Sequence, residues 1–286
     1  MAITFKEVFY IYNRKTPLET EALNGISFSI EKGSFTALVG RTGCGKSTLV
    51  QHINALLNPS AGEVDIDGWI NSAEKKKRSK HVKDLRKHVG LVFQFPEYQL
   101  FEETVEKDVA FAPKNFGMNE EDALKAAHAA LRSVGLNESF DKRSPFELSG
   151  GEKRKVAIAG ILAFHPDILV VDEPTAGLDP LGAKAMMALF AQIHQSGTTV
   201  VLVTHDMNIV LAYCDKVVVL DDGKIAAITD PVSLFSQDIE KYSLETPLLY
   251  KMVKDLEGQG AHFDLQAIKD IPSLADQLVA LKGAKR

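Results

Sequence analysis

Gly40, Gly45, Lys46 and Ser47 stand at the spacing G-x-x-x-x-G-K-[ST] inside the stretch GRTGCGKST. That spacing suits a phosphate cradle. Backbone amides of a glycine-rich turn can converge on phosphate oxygens because no Cβ intervenes, and a following helix adds the positive end of its dipole. The loop residues Arg41, Thr42, Gly43 and Cys44, with Thr48 beyond Ser47, complete the predicted nucleotide-binding set. Lys46 would reach the β- and γ-phosphates of ATP, and the Ser47 hydroxyl would join a Mg²⁺ ion. At ordinary composition, chance supplies this pattern in roughly 1% of such chains.

Asp172 and Glu173 follow the apolar residues Ile168 to Val171 in DILVVDEP. This places both acids at the carboxyl end of a buried strand, the edge where open α/β sheets keep their ligands. Asp172 would hold Mg²⁺ through water, and Glu173 would polarise an attacking water. Adjacent acids at a strand end also serve as helix caps, but a phosphate loop in the same chain favours the metal and water roles. His205 ends another strand, VVLVTHD, on the same edge, where it could hydrogen-bond a γ-phosphate.

A second glycine-rich stretch, LSGGE, opens a helical pattern about a hundred residues after the first and lacks a lysine. It lies too far along the chain to be another wall of the same loop. A helix N-terminus with free amides can face a γ-phosphate held by a second molecule. Two chains packed head-to-tail would then each lend Ser149, Gly150 and Gly151 to the other's ATP, with ATP as the glue and hydrolysis as the release.

The elements that must position these residues follow from patterning. ITFKEVFYIY, GISFSI, SFTALVG and GEVDIDG alternate with period two and predict a largely antiparallel sheet. KSTLVQHINALL is a helix entered from the phosphate loop. The charge run EKKKRSKHVKDLRKH reads as a solvated loop or helix face. From Thr104 to about Phe164 the period is helical, with Asn119 as a cap. DILVVDEP and TTVVLVTHD are continuous β-branched runs expected of parallel strands, joined by a crossover helix packing Met186 and Met187. DKVVVLDDGKI predicts a hairpin, and short helices follow from Pro231, with Leu274, Leu278 and Leu281 on one face.

Composition narrows the class. At 286 residues and 45% hydrophobic content the chain can bury a large core, and its net charge of −5 argues against a nucleic-acid partner. Two cysteines predict a reducing compartment. The start MAITFKEVFY lacks the pattern of a signal peptide, and the longest apolar runs are strand-sized. A soluble cytoplasmic protein is expected, and if it works at a membrane, it works from the side.

Together these stretches resemble the nucleotide-binding subunit of an ATP-binding cassette transporter, over at least Ile3 to about Asp230. The resemblance implies an α/β fold: a P-loop NTPase core with an antiparallel β subdomain and a helical signature subdomain at about 100–164. A short, mainly helical extension at 231–286 would serve dimerisation. It implies an ATPase coupled to transmembrane transport, with ATP and Mg²⁺ as cofactors, at the cytoplasmic face. Tyr12 matches the adenine-stacking aromatic, with Tyr10 as the alternative. Gln94 in FQFPEYQLF matches the residue that senses Mg²⁺ and the water while contacting the membrane partner. Asp179 in AGLD would communicate across the dimer, and Glu152 stands in LSGGE where the family more often has Gln.

More finely, VFQFPEYQLFEETVEKDVAFAPKNFG and the extension resemble the ATPases of energy-coupling-factor transporters, importers of vitamins and similar micronutrients, especially their A-prime type. That implies a second, paralogous ATPase, an integral membrane scaffold and an exchangeable substrate-binding membrane subunit. Phe95, Tyr98 and Leu100 would line the scaffold contact. Cobalt and nickel importers carry similar stretches. Soluble ATPases of chromosome maintenance insert long coiled coils, and no sustained heptads occur here.

Overall fold

The chain is described by a computed structural model covering residues 1–258, 261–268 and 270–284. The first elements are β1 (Ile3–Tyr12), β2 (Thr20–Ile30), β3 (Phe35–Val39), α1 (Lys46–Ile53), β4 (Ala61–Ile66) and β5 (Trp69–Ser72). β1 pairs antiparallel with β2 on one side and β4 on the other, and β5 completes a sheet of order β2-β1-β4-β5. Asp67 and Gly68 join β4 to β5 with φ of 47° and 95°, the left-handed pair a tight hairpin requires.

Next come α2 (Val82–His88), β6 (Val89–Val92), α3 (Val105–Asn115), α4 (Glu120–Ser133), α5 (Gly150–Leu162), β7 (Ile168–Asp172), α6 (Pro180–Gln195), β8 (Thr199–Val203), α7 (Met207–Tyr213), β9 (Lys216–Asp221) and β10 (Lys224–Thr229). They build a six-stranded sheet of order β10-β9-β3-β8-β7-β6, parallel except for the β9–β10 hairpin. β3 therefore leaves the antiparallel layer that its alternation predicts. All five of its residues are buried between β8 and β9, because a parallel strand is covered on both faces.

The two faces of this sheet feed separate cores. Leu38, Ile168 and Val170 pack toward the antiparallel sheet with Leu49 and Ile53 of α1. Ala37, Leu169 and Val171 face the helices, where Met186, Met187 and Phe190 of α6 are buried. α3, α4 and α5 pack together beside the sheet, and Asn119 caps α4 by accepting from Asp122 N–H. The charge run resolves into exposed turns and α2, which buries Leu85 alone.

The C-terminal elements are α8 (Pro231–Phe235), α9 (Leu248–Glu257) and α10 (Ile271–Ala284). Phe235, Tyr250, Val253 and Leu274 join the helix-side core, and Leu278 packs against it. Asn208 Oδ1 on α7 accepts from Leu248 N–H at 2.9 Å, tying the extension to the segment after His205. Among the described residues, no helix is long and apolar enough to cross a membrane.

Candidate nucleotide-binding site

The loop between β3 and α1 is built on glycines that nothing else could replace. Gly40 has φ of 145°, and a Cβ there would lie 2.1 Å from Leu220 O. Gly45, at φ 106°, would meet Ala22 O at 2.5 Å. Lys46 folds back over the loop and donates to Gly40 O at 2.6 Å and Arg41 O at 2.9 Å. Cys44 is buried beneath it, and Arg41 turns aside to Asp221 and Asp222 at the head of the β9–β10 hairpin. The loop thus packs closely between β2 and β9.

A cavity of about 510 Å³ opens over this loop, lined by Thr42, Gly43, Gly45, Lys46, Ser47 and Thr48 of the loop and α1. Tyr12, Gln94, the adjacent pair Asp172 and Glu173, and His205 reach it from four other segments. Tyr12 donates or accepts at Thr48 Oγ1 across 3.0 Å, whereas Tyr10 packs edge-on against buried His52. The aromatic ring bordering the cavity is therefore Tyr12. Thr20, Glu21, Ala22 and Val203 also line it; nothing local in their sequence marks them, since tertiary packing alone brings them there.

The acids sit at the end of β7 as the pattern requires. Ser47 Oγ donates to Asp172 Oδ2 at 3.3 Å. Burial pushes the Asp172 carboxyl above its ordinary range and the adjacent Glu173 charge adds to this, against the Ser47 hydrogen bond and the Lys46 ammonium. A carboxylate short of positive charge beside a hydroxyl, both opening on a phosphate cradle, fits a hard cation such as Mg²⁺ that keeps waters and phosphate oxygens as its other ligands. Glu173 holds φ of 48°, and its N–H donates to Val203 O at 2.9 Å. Its Oε1 accepts from His205 Nδ1 at 2.8 Å, which ties the ends of β7 and β8 together.

Ser149, Gly150 and Gly151 lie elsewhere. They open α5, where Ser149 and Glu152 form a reciprocal capping box. Hydrogen bonds from the Ser149 hydroxyl and amide hold the Glu152 carboxyl below its usual range. A Cβ built on Gly150 or Gly151 meets nothing within 4 Å. Ser149 and Gly151 border a different cavity of about 670 Å³, with Leu178, Leu181 and Gly182, and it shares no lining residue with the first. Asp179 caps α6 nearby by accepting from Gly182 N–H at 2.7 Å. Within one chain, the two glycine-rich stretches do not meet.

The segment after Gln94 presents Phe95, Tyr98 and Phe101 to solvent, with Phe111 edge-on to Phe101 at 4.8 Å. Leu100 is buried, so the expectation that it lines an external contact is corrected: its side chain points inward to the core with Val105.

Comparison with known proteins agrees with this geometry. Residues 23–176 match the family model described as ABC transporter. The chain is 51% identical over 273 residues to the energy-coupling factor transporter ATP-binding protein EcfA2 of Streptococcus pneumoniae, covering 94% of this chain and 96% of that one. Among solved structures it resembles cbiO1 from Clostridium perfringens, described as part of the ABC transporter complex cbiONQ, with a TM-score of 0.73 and 36% identity, covering 88% and 98% of the two chains. It also resembles a dimeric ATP-binding cassette in a post-hydrolysis state bound to ADP and Pi, with a TM-score of 0.70 and 30% identity, covering 80% and 98%. The chain belongs to the ABC transporter family and, within it, to the ATP-binding subunits of energy-coupling-factor transporters, the ATPases that energise this type of importer.

Proposed function

We propose that the cavity over the phosphate loop binds MgATP, and that its hydrolysis drives uptake of a vitamin or related micronutrient through a membrane partner. Tyr12 stacks on the adenine, the loop from Gly40 to Thr48 cradles the phosphates, and Lys46 leaves the loop carbonyls for the β/γ oxygens. Ser47 and Asp172 would hold Mg²⁺, which when bound offsets phosphate charge. Glu173 polarises the attacking water, His205 fixes that carboxylate and reaches the γ-phosphate, and Gln94 reports the occupied site to the exposed aromatic segment beside it.

A second ATPase subunit completes each site head-to-tail, lending its signature stretch across the interface, while Asp179 sits at the junction. The exposed aromatics Phe95, Tyr98 and Phe101 meet an integral membrane scaffold at the cytoplasmic face, and an exchangeable membrane subunit binds the cargo. The extension at 231–286 contributes to pairing. The observation that carries this reading is the convergence of Ser47, Asp172, Glu173 and His205 on one cavity beside Lys46. The test is uptake of labelled vitamins by proteoliposomes holding the assembled complex. ATP-dependent uptake abolished by Lys46→Ala supports the reading, and uptake that survives Lys46→Ala sinks it.

A further inference from the structure

Arg154 lies four residues before buried Ile158 on the inner face of α5, and only 4% of it is exposed. A guanidinium carries five N–H donors and keeps its charge, so burying it demands a full set of acceptors. Four hydrogen bonds go to two segments that each carry a residue of the nucleotide cavity. Nε and Nη2 donate to the Glu97 carboxylate at 3.0 and 2.8 Å, a fork geometry. Nη1 donates to Ala176 O at 2.7 Å and Pro174 O at 3.4 Å, and the guanidinium lies over the Phe95 ring at 5.6 Å. Phe95 follows Gln94 directly and Glu97 lies three residues after it, Pro174 follows Glu173, and the helix holding Arg154 begins at the signature stretch.

The backbone at Glu173 needs such a hold. A non-glycine residue at φ 48° is strained and persists only where its surroundings over-determine it. On one side the Glu173 N–H is pinned to Val203 O, and on the other Arg154 grips the carbonyls of Pro174 and Ala176.

We propose that Arg154 is a positioning residue for ATP hydrolysis, fixing the Glu173 loop against the Gln94 segment so that both move as one body with the signature helix. Docking forces on the exposed aromatics then reach the water-polarising carboxylate through Glu97 and Arg154. This rests on the roles given above to Glu173 and Gln94.

The test uses the assembled full-length complex. Arg154→Lys keeps the charge but a single ammonium cannot reproduce the fork, and Glu97→Gln keeps the shape but removes the charge. Each variant is expected to lower kcat on the order of 10²-fold, the scale of a small misplacement of a catalytic group, while ATP Kd stays within about threefold. The double variant should be no slower than the worse single one, because the pair acts as a unit. A purely structural role would instead lower the melting temperature and move Kd along with kcat. If Arg154→Lys does not fold, Glu97→Gln decides alone by the same split of kcat against Kd. Near-normal kcat in the variants, or losses that multiply in the double, overturns the proposal. Glu173→Gln run in parallel separates the two readings. If it is slow while the Arg154 and Glu97 variants are normal, only the Arg154 role falls; if it is itself normal, both fall.

Discussion

His205 donates from Nδ1 to Glu173 Oε1 across 2.8 Å, joining two strand ends separated by 32 residues. The contact orients a carboxylate that projects from a strained backbone into the cavity. Glu173→Gln should therefore bind MgATP yet hydrolyse it at least ~10²-fold more slowly, the lower range of a general-base contribution. His205→Ala should fall in the same direction. Phosphate release in single turnovers measures both, and gel filtration with ATP should show Glu173→Gln trapped as a closed pair. Turnover near wild type at the site built on this chain's own phosphate loop would remove Glu173 from the role.

The separation of the two glycine-rich stretches makes a second prediction. Ser149→Arg fills the open space over Gly150 and Gly151 with a bulky cation. It should block hydrolysis at the partner's site without weakening nucleotide binding to its own loop. Fluorescent-ATP titration of the isolated variant checks this: weakened binding there would mean that the signature acts within its own chain.

Tyr98 is 85% exposed on the segment that follows Gln94. Tyr98→Glu puts a charge on the proposed docking surface while touching nothing in the core. It should detach the ATPase from the membrane scaffold, or stop uptake, with ATP binding and melting temperature unchanged. Pull-down from solubilised membranes and vesicle uptake on that one variant are the measurements. Persistence of both would move the docking surface elsewhere.

A fourth prediction concerns acid stability. His52 is buried under the phosphate-loop helix, its Nδ1–H donates to Thr48 O at 2.7 Å, and its Nε2 has no partner among the described residues. Burial pushes its pKa from 6.5 down to about 4, against a smaller opposing effect of the Thr48 bond. With the folded value below the unfolded one, the unfolded chain binds the extra proton first. Stability is thus full above about pH 6.5 and falls by up to ~1.4 kcal/mol per pH unit down to about pH 4. At pH 5 that is roughly 2 kcal/mol. Denaturant melts of wild type and His52→Gln from pH 7.5 to 5 should converge as pH falls; parallel curves would refute the assignment.

The cavity was largely legible in the sequence because its chemistry is written in short range. Gly40, Gly45 and Lys46 lie within one turn, and Asp172, Glu173 and His205 each end a buried run that fixes their edge of the sheet. What stayed hidden depends on partners far along the chain. Phe35–Val39 alternates no differently from the antiparallel strands before it, and only pairing with β8 and β9 shows it to be parallel. Leu100 sits among exposed aromatics in sequence but turns into the core. Arg154 gave one faint sign, a charge on the same helical face as Ile158; its acceptors lie 57 and about 20 residues away.

The disjoint cavities also carry a genetic consequence. In the head-to-tail pairing proposed above, each chain would supply half of two enzymes, its phosphate loop serving one site and its signature stretch the other. Lesions at Lys46 and Ser149 on the same chain therefore silence both sites. The same two kinds of lesion divided between partners, a loop defect on this chain and a signature defect on the other, fall on a single site and leave its twin whole. Alleles that are lethal in cis would be tolerated in trans wherever one working site sustains uptake.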